Sequence, residues 1–386
     1  MRKKYIVFAP SYDENVGGSI SMHRLCHLLN TQGEEAYLWH DGKSKLIKNK
    51  DFITPDICTK QLDDFIVVYM DVVSGNPLDC PHVVRWFLNK PGFFTGNINY
   101  GEQELYFFFQ EVFKHEQYIA KEKLYVAYFL TDLFKNEQRG SREGSCYMMR
   151  KGAGRKIQHN IDNSIMLDGK SHQEIAEIFN QKKYFYCYDL HSAYTYFSAL
   201  CGCIPIVVPQ DGLSERDWQP EERLRYGVAY GDSVEQLFYA KKTRAHLIKL
   251  IDDLAVESES YVEQFIETSQ TFFAENGKSK AQLDNEKLGY FEALKNSQNQ
   301  VVFFGASEAL RSMYAVLNMK NVHCDFICDN SVDKHGKQFL GKCISDPNVI
   351  LNRDGHFDVL ITTSYHKEIR VQLQQYQSVN NIYSLF

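Results

Sequence analysis

The run "KYIVFAP" (residues 4–10) opens into the polar loop "SYDENVGG". From Ser19 to Leu29 apolar residues then fall at helical spacing until Gly33 stops them, and "EAYLWH" (35–40) follows as a second apolar run. Strand, glycine-bearing turn, helix, strand is what a parallel sheet demands, because parallel strands need a crossover and a helix makes one compactly. "FIVVYM" (65–70) and "VVRWFL" (83–88) read as further buried strands of the same sheet. The pattern returns after the charged, Gly/Ser-bearing stretch "KNEQRGSREGS" (135–145), in "CYMMRKG" (146–152), "SIMLDG" (164–169), the helix "SHQEIAEIFNQ" (171–181), "YFYCYD" (184–189) and "IPIVVP" (204–209). It returns again from Gln300 in "VVFFGASEALRSMYAVLNM", "HCDFICDN" and "FDVLITTS". The spacing predicts three successive α/β units over 1–140, 141–275 and 297–386. A long helical tract from about Ser233 to Phe273 closes the second, and the polar stretch 275–298 reads as a linker.

Composition sets the outer limits. With 386 residues, 44% of them hydrophobic and 24% charged, the chain has the make-up of a soluble globular protein of two or three domains. A net charge of −6 argues against a general nucleic-acid binder, which needs a basic face, although local basic patches can still hold a phosphate. The ten cysteines show no C-x2-C pair and no zinc-finger spacing, so reduced thiols in a cytoplasm are expected and no metal site is. The apolar run after the basic start "MRKK" is shorter than a signal h-region, and no stretch approaches the ~20 apolar residues of a membrane span. Attachment to a membrane surface stays open.

Open parallel sheets bind ligands at the carboxyl ends of their strands, where helix N-termini offer unpaired N–H groups to anions. That rule selects the candidate residues. Gly17 and Gly18 follow the first strand, and two glycines either admit a ligand to the backbone or make an ordinary tight turn. Asp71 follows "FIVVYM", with Asn76 in the turn "SGNP"; it reads as a general base or acceptor-hydroxyl ligand, or as a turn aspartate. Arg85 lies inside an apolar strand and needs a structural carboxylate or a bound anion. Arg150 and Lys151 precede "GAG", and the pair suits a diphosphate or is a solvated pair of charges. Asp189 ends a strand in "DLHSAYTYFSALCGCIPIVVPQ" (189–210), and Ser192, Ala193, Tyr194 and Thr195 open the next helix, where small and hydroxyl residues let phosphate or sugar oxygens approach.

These residues carry a resemblance. "YDLHSAYTYFSALCGCIPIVVP" is similar to the donor-site segment of GT-B glycosyltransferases, whose retaining branch has an E-x7-E motif before a "CGxPVI" strand. "DENVGGSISMHRLCHLLNTQGEEAYLW" resembles their N-terminal Gly-Gly loop and first helix. "VVYMDVVSGNPLDCPHVVRWFLNKPG" is similar to a segment of bacterial surface-polysaccharide glycosyltransferases. The resemblance covers roughly residues 1–275. It implies an α/β fold in which two Rossmann-like domains face a cleft (GT-B), followed here by a small C-terminal Rossmann-like domain. Asp189 stands where the family has its first Glu, while Phe197 stands where the second usually contacts the donor ribose. Arg150 and Lys151 match the basic pair that neutralises the nucleotide diphosphate. Such enzymes typically need no metal, since side chains and helix dipoles stabilise the leaving group, and no DxD motif is present.

In the third unit "FFGASEAL" stands where a dinucleotide fingerprint would read G-x-G-x-x-G. Only Gly305 survives, and Asp329 lies where an acidic residue would hold a ribose, so an accessory packing domain and a second nucleotide site are both open. The expected activity is transfer of a sugar from a nucleotide-sugar donor, with no further cofactor, to a glycan or lipid-linked acceptor in surface polysaccharide synthesis (lipopolysaccharide or capsule). The expected place is the cytoplasm, at the inner face of the membrane. Two rivals stand beside it: a nucleotide-sugar oxidoreductase or epimerase using the third unit, and a non-catalytic sugar-nucleotide-binding protein of the same pathway.

Overall fold

The computed structural model describes residues 2–385 apart from 44, 97, 102, 139, 353, 354 and 364. Among these the first unit carries β1 (Lys4–Val7), α1 (Gly17–Thr31), β2 (Ala36–Trp39), β3 (Asp56–Ile57), β4 (Phe65–Met70), β5 (Val83–Phe87), β6 (Leu105–Phe108) and β7 (Glu122–Lys123). The strands pair in the order β3-β2-β1-β4-β5-β6-β7, and every pairing is parallel. The second unit carries β8 (Ser145–Met148), β9 (Ser164–Met166), α2 (His172–Gln181), β10 (Tyr184–Cys187), α3 (Tyr194–Cys201), β11 (Ile204–Val207), the short α4 (Glu215–Trp218) and β12 (Ala229–Tyr230), in the parallel order β12-β11-β10-β8-β9. Central strands such as β4 and β5 are buried along nearly their whole length, as sheets covered on both faces must be. This is the α/β architecture, with two Rossmann-like units, that the GT-B resemblance implies.

The helical tract is α5 (Val234–Asn276), and it does not respect the boundary between these units. Leu247 and Ile251 pack with Ala199 of the second unit. One to two turns later Leu250 and Leu254 join Tyr125, Ala127 and Leu224. Val262, Phe265, Ile266 and Phe273 then enter the core of the first sheet, where Tyr5 and Ser269 share a hydrogen bond of 2.9 Å. Residues 262–273, assigned by sequence to the second unit, are packed into the first. Burying such side chains is worth about 1.5–3 kcal/mol each, so the returning helix is a substantial tie between the two.

The stretch 275–298 is not a linker. It folds as α6 (Lys280–Lys295), started by a reciprocal cap between Ser279 and Gln282. Its apolar content is concentrated in the last turns, where Phe291 and Leu294 enter the third core and Tyr290 lies tilted against Tyr383, ring centres 5.4 Å apart. At its start Lys280 donates to Asp79 at 2.7 Å, and the Lys280 N–H to Asp63 at 2.8 Å, both on the first unit. The third unit follows with β13 (Gln300–Phe304), α7 (Glu308–Met319), β14 (Phe326–Cys328), β15 (Gln338–Phe339), β16 (Lys342–Ser345), α8 (Asn348–Asn352), β17 (Phe357–Ile361), α9 (His366–Gln374) and β18 (Val379–Ser384). Its sheet runs β15-β16-β14-β13-β17-β18, parallel except for the β15–β16 pair. Among the described residues no helix is long and apolar enough to cross a membrane.

Candidate functional site

In an open α/β sheet the ligand crevice lies where the strand order reverses. In the first sheet that point is between β1 and β4, and in the second between β8 and β10. The residues after those strands are the Gly-Gly loop, Asp71, Arg150 and Asp189, and contacts join the two groups across the domain interface.

On the first side, the loop before α1 is folded on itself. Ser19 accepts from the Asp13 N–H at 2.9 Å, and Asp13 accepts from the Asn15 N–H at 2.8 Å. No side chain caps the head of α1. A Cβ at Gly18 would come within 3.2 Å of the Met70 sulfur, so this glycine seats the helix on the sheet; nothing lies within 4 Å of one at Gly17. Asp71 is buried, and its Oδ1 accepts from the N–H groups of Leu88 at 3.0 Å and Asn89 at 3.2 Å. Burial raises its pKa to about 6, against the opposing pull of those N–H groups.

Asn76, expected in the cleft, instead serves its own turn. Its Oδ1 accepts from Tyr69 Oη at 3.0 Å and the Cys80 N–H at 3.2 Å, and its Nδ2 donates to Cys80 O at 2.7 Å. Arg85 resolves to its structural alternative. Its guanidinium donates to both Glu104 oxygens at 2.9 and 2.8 Å and lies between the rings of Tyr69 and Tyr100.

On the second side, the Asp168 carboxylate accepts from the N–H groups of Met149 and Arg150, each at 2.8 Å. This clamp holds Arg150 at φ 41°, a left-handed backbone that a non-glycine residue rarely adopts, and such strain collects at functional sites. A Cβ at Gly152 would sit 2.3 Å from Tyr188 O, so only glycine lets the turn lie on the end of β10. Arg155 donates to the carbonyls of Tyr188, Val208 and Pro209 at 2.6–2.9 Å, closing the ends of β10 and β11.

The Arg150 guanidinium stands 5.3 Å from the Tyr194 ring centre and donates to Asn15 O of the opposite unit at 2.6 Å. Tyr194 Oη is 2.8 Å from His172 Nε2, and His172 Nδ1, buried without a hydrogen-bond partner, lies 3.7 Å from the Glu14 carboxylate. Burial lowers the His172 pKa, with Glu14 opposing and Arg150 assisting. Lys151 does not stand beside Arg150 as a free pair. Its ammonium is 3.5 Å from Asp189 Oδ1, which also accepts from the His191 N–H at 3.2 Å.

The helix head is only partly open. Ser192 is half-buried and Ala193 exposed. Tyr194 and Thr195 are buried, and the Thr195 hydroxyl donates back to Ser192 O at 2.8 Å. Phe197 is in the core, stacked on Phe134 at 4.4 Å, which places it away from any ribose. His191 faces Phe113 of the first unit at 5.4 Å; burial, with Lys151 and then Lys90, pushes its pKa down to about 4.

Sequence reasoning missed Asp168, His172, Arg155, His191 and Lys90. The strand-end rule that selected Asp71 and Asp189 applies equally to Asp168 in "SIMLDG". His172 carried no signal, because its partners Tyr194 and Glu14 are remote in sequence. A cavity of about 910 Å³ lies elsewhere: an open groove against α5 lined by Arg2, Glu34, Glu259, Glu263 and Glu267 among others.

In the third unit, the two residues of the fingerprint alternative make contacts within the chain. Gly305, at φ 114°, has Thr363 where a Cβ would stand, 2.6 Å away. Asp329 accepts from the N–H groups of Ala306 and Ser331 at 2.9 Å and pairs with Lys334 at 2.8 Å.

Residues 297–382 match the family model described as C2185-like, N-terminal. No curated protein matches the chain. Among solved structures, that of T4 phage BGT in complex with its UDP-glucose substrate is similar at 9% identity and a TM-score of 0.32, covering 76% of this chain and 99% of that one. That likeness is too distant to bear on function.

Proposed function

We propose that the chain is a glycosyltransferase that moves a sugar from a nucleotide-sugar donor to a glycan or lipid-linked acceptor. The observation that carries this reading is the meeting of two sheet switch points, with the clamped Arg150 on one side and the buried Asp71 carboxylate on the other. The second unit holds the donor. Arg150 grips the diphosphate, and the exposed head of α3 at Ser192 and Ala193 lends its N–H groups to the same oxygens. The first unit holds the acceptor beside Gly17. The acceptor oxygen bonds to the anomeric carbon, the sugar–phosphate bond breaks, the nucleoside diphosphate leaves, and Asp71 takes the hydroxyl proton. Arg150 offsets the charge that grows on the leaving group. A setting in surface polysaccharide synthesis, at the inner face of a membrane, rests on the sequence resemblance.

One observation favours a second reading, a non-catalytic sugar-nucleotide-binding protein. Both strand-end carboxylates, Asp71 and Asp189, already serve internal partners. Calorimetry and donor hydrolysis over a panel of nucleotide sugars separate the two. Binding with hydrolysis of one donor supports the transferase, and binding without hydrolysis or transfer to any glycan supports the second reading. Failure of every nucleotide sugar to bind overturns both.

A further inference from the structure

The third unit touches the first at a tyrosine cluster. Lys367, on the first turn of α9, reaches out of the loop that follows β17, one wall of the third unit's crevice. Its ammonium lies 3.3 Å from Tyr106 Oη, 4.5 Å from the Tyr118 ring centre and 5.6 Å from that of Tyr106. Both tyrosines are buried while Lys367 is half-buried, so the ammonium rests on ring faces that the core holds in place.

The rings are not a terminal surface. Tyr100 packs edge-on to Tyr118 at 5.0 Å, and its hydroxyl donates to Asp71 O at 2.7 Å. The segment ending at Tyr118 also carries Phe113, the residue that meets His191 of the second unit. The N–H of His191 holds the Asp189 carboxylate, and its carbonyl lies 3.5 Å from the Lys151 ammonium. The stretch 104–118 is therefore held by the third unit at Tyr106 and Tyr118 and faces the second unit at Phe113 between them.

We propose that the third unit is a clamp on the cleft: Lys367, seated on Tyr106 and Tyr118, fixes the 104–118 wall and, through it and Tyr100, sets the positions of Asp71 and the His191–Asp189 turn. Movement of the α9 head, by a ligand or partner of the third unit, is transmitted to the cleft by this route. The proposal is independent of the transferase reading, since it concerns motion of the chain alone.

Amide hydrogen exchange on the full-length protein tests it. Lys367→Met keeps the stem and removes the charge. Exchange in 104–118 is expected to quicken roughly two- to thirtyfold, the range that the strength of such a contact sets, with a smaller rise in 189–195. Lys367→Arg restores both, and Val371→Ala, at an exposed position of the same helix, changes neither. Peptides from β13 and β17 report whether the third unit stays folded. Tyr118→Leu reaches the same contact from the first unit, and the double variant should add little to either single one. If 104–118 quickens while 189–195 keeps its wild-type rate, Lys367 merely fastens two domains and the proposal fails. Unchanged exchange in both segments also overturns it.

Discussion

Arg150 combines a strained backbone, a carboxylate clamp and a side chain that crosses the cleft. Losing a charged hydrogen-bond donor costs on the order of 1.5–3 kcal/mol. Arg150→Ala should thus weaken binding of a nucleoside diphosphate by roughly tenfold or more with the fold intact, as read by calorimetry. Unchanged affinity would remove Arg150 from the site. Asp71 yields a prediction in pH. Its folded pKa, about 6, lies above the ordinary 3.8, so the folded chain holds this proton more tightly than the unfolded one. The associated stability is full below about pH 4 and lost as pH rises through about 6. Asp71→Asn keeps the shape and an acceptor oxygen, and should flatten that part of the stability–pH curve by on the order of 2–3 kcal/mol. Turnover should fall in the same variant while donor affinity holds; normal turnover would discard Asp71 as the base. Arg85 makes the opposite case, a buried charge whose role is structural. Glu104→Gln leaves its guanidinium without a counter-charge, and urea unfolding should show a loss of about 3–5 kcal/mol.

At the scale of elements, α6 decides what the third unit is. Phe291 and Leu294 lie in its core, so a fragment starting at residue 297 exposes the surface they cover. A fragment of 279–386 should be more stable than one of 297–386 by roughly 3–6 kcal/mol, the worth of burying two large apolar side chains. Equal stability in chemical denaturation would mean that α6 only packs against the unit. The helix was hard to see because its few apolar residues gather near its end, so no continuous stripe marks it. The long α5 was legible as a helix but not as a bridge. Its apolar positions look alike from end to end, and nothing in them says that Leu247 and Phe265 face different cores.

Across the whole molecule, the proposed donor side, acceptor side and clamp fall in three units, so truncation tests them separately. A chain ending near Asn276 keeps both cleft sheets and all of α5, and should bind a nucleoside diphosphate within about thirtyfold of the full-length protein, given the roughly 0.5–2 kcal/mol by which a remote contact is coupled to a site. Loss of binding in a chain that stays folded by circular dichroism would place the donor site in the wrong unit. The sequence by itself determined the α/β class, the three-fold recurrence and most strands, because buried parallel strands must be short, apolar and separated by crossovers. It also determined which loops lie at strand ends, and so named Asp71, Arg150 and Asp189. Only the tertiary structure decided what those residues touch. Lys151 turned to Asp189, Asn76 to its own turn, Thr195 to Ser192 and Asp329 to Lys334, while His172 and Glu14 met across the cleft. Spacing along the chain fixes periodicity and therefore faces. Which partner a side chain takes is set instead by turn geometry, as for Thr195 and Asp329, or by how the units pack, as for His172 and Glu14, and periodicity encodes neither.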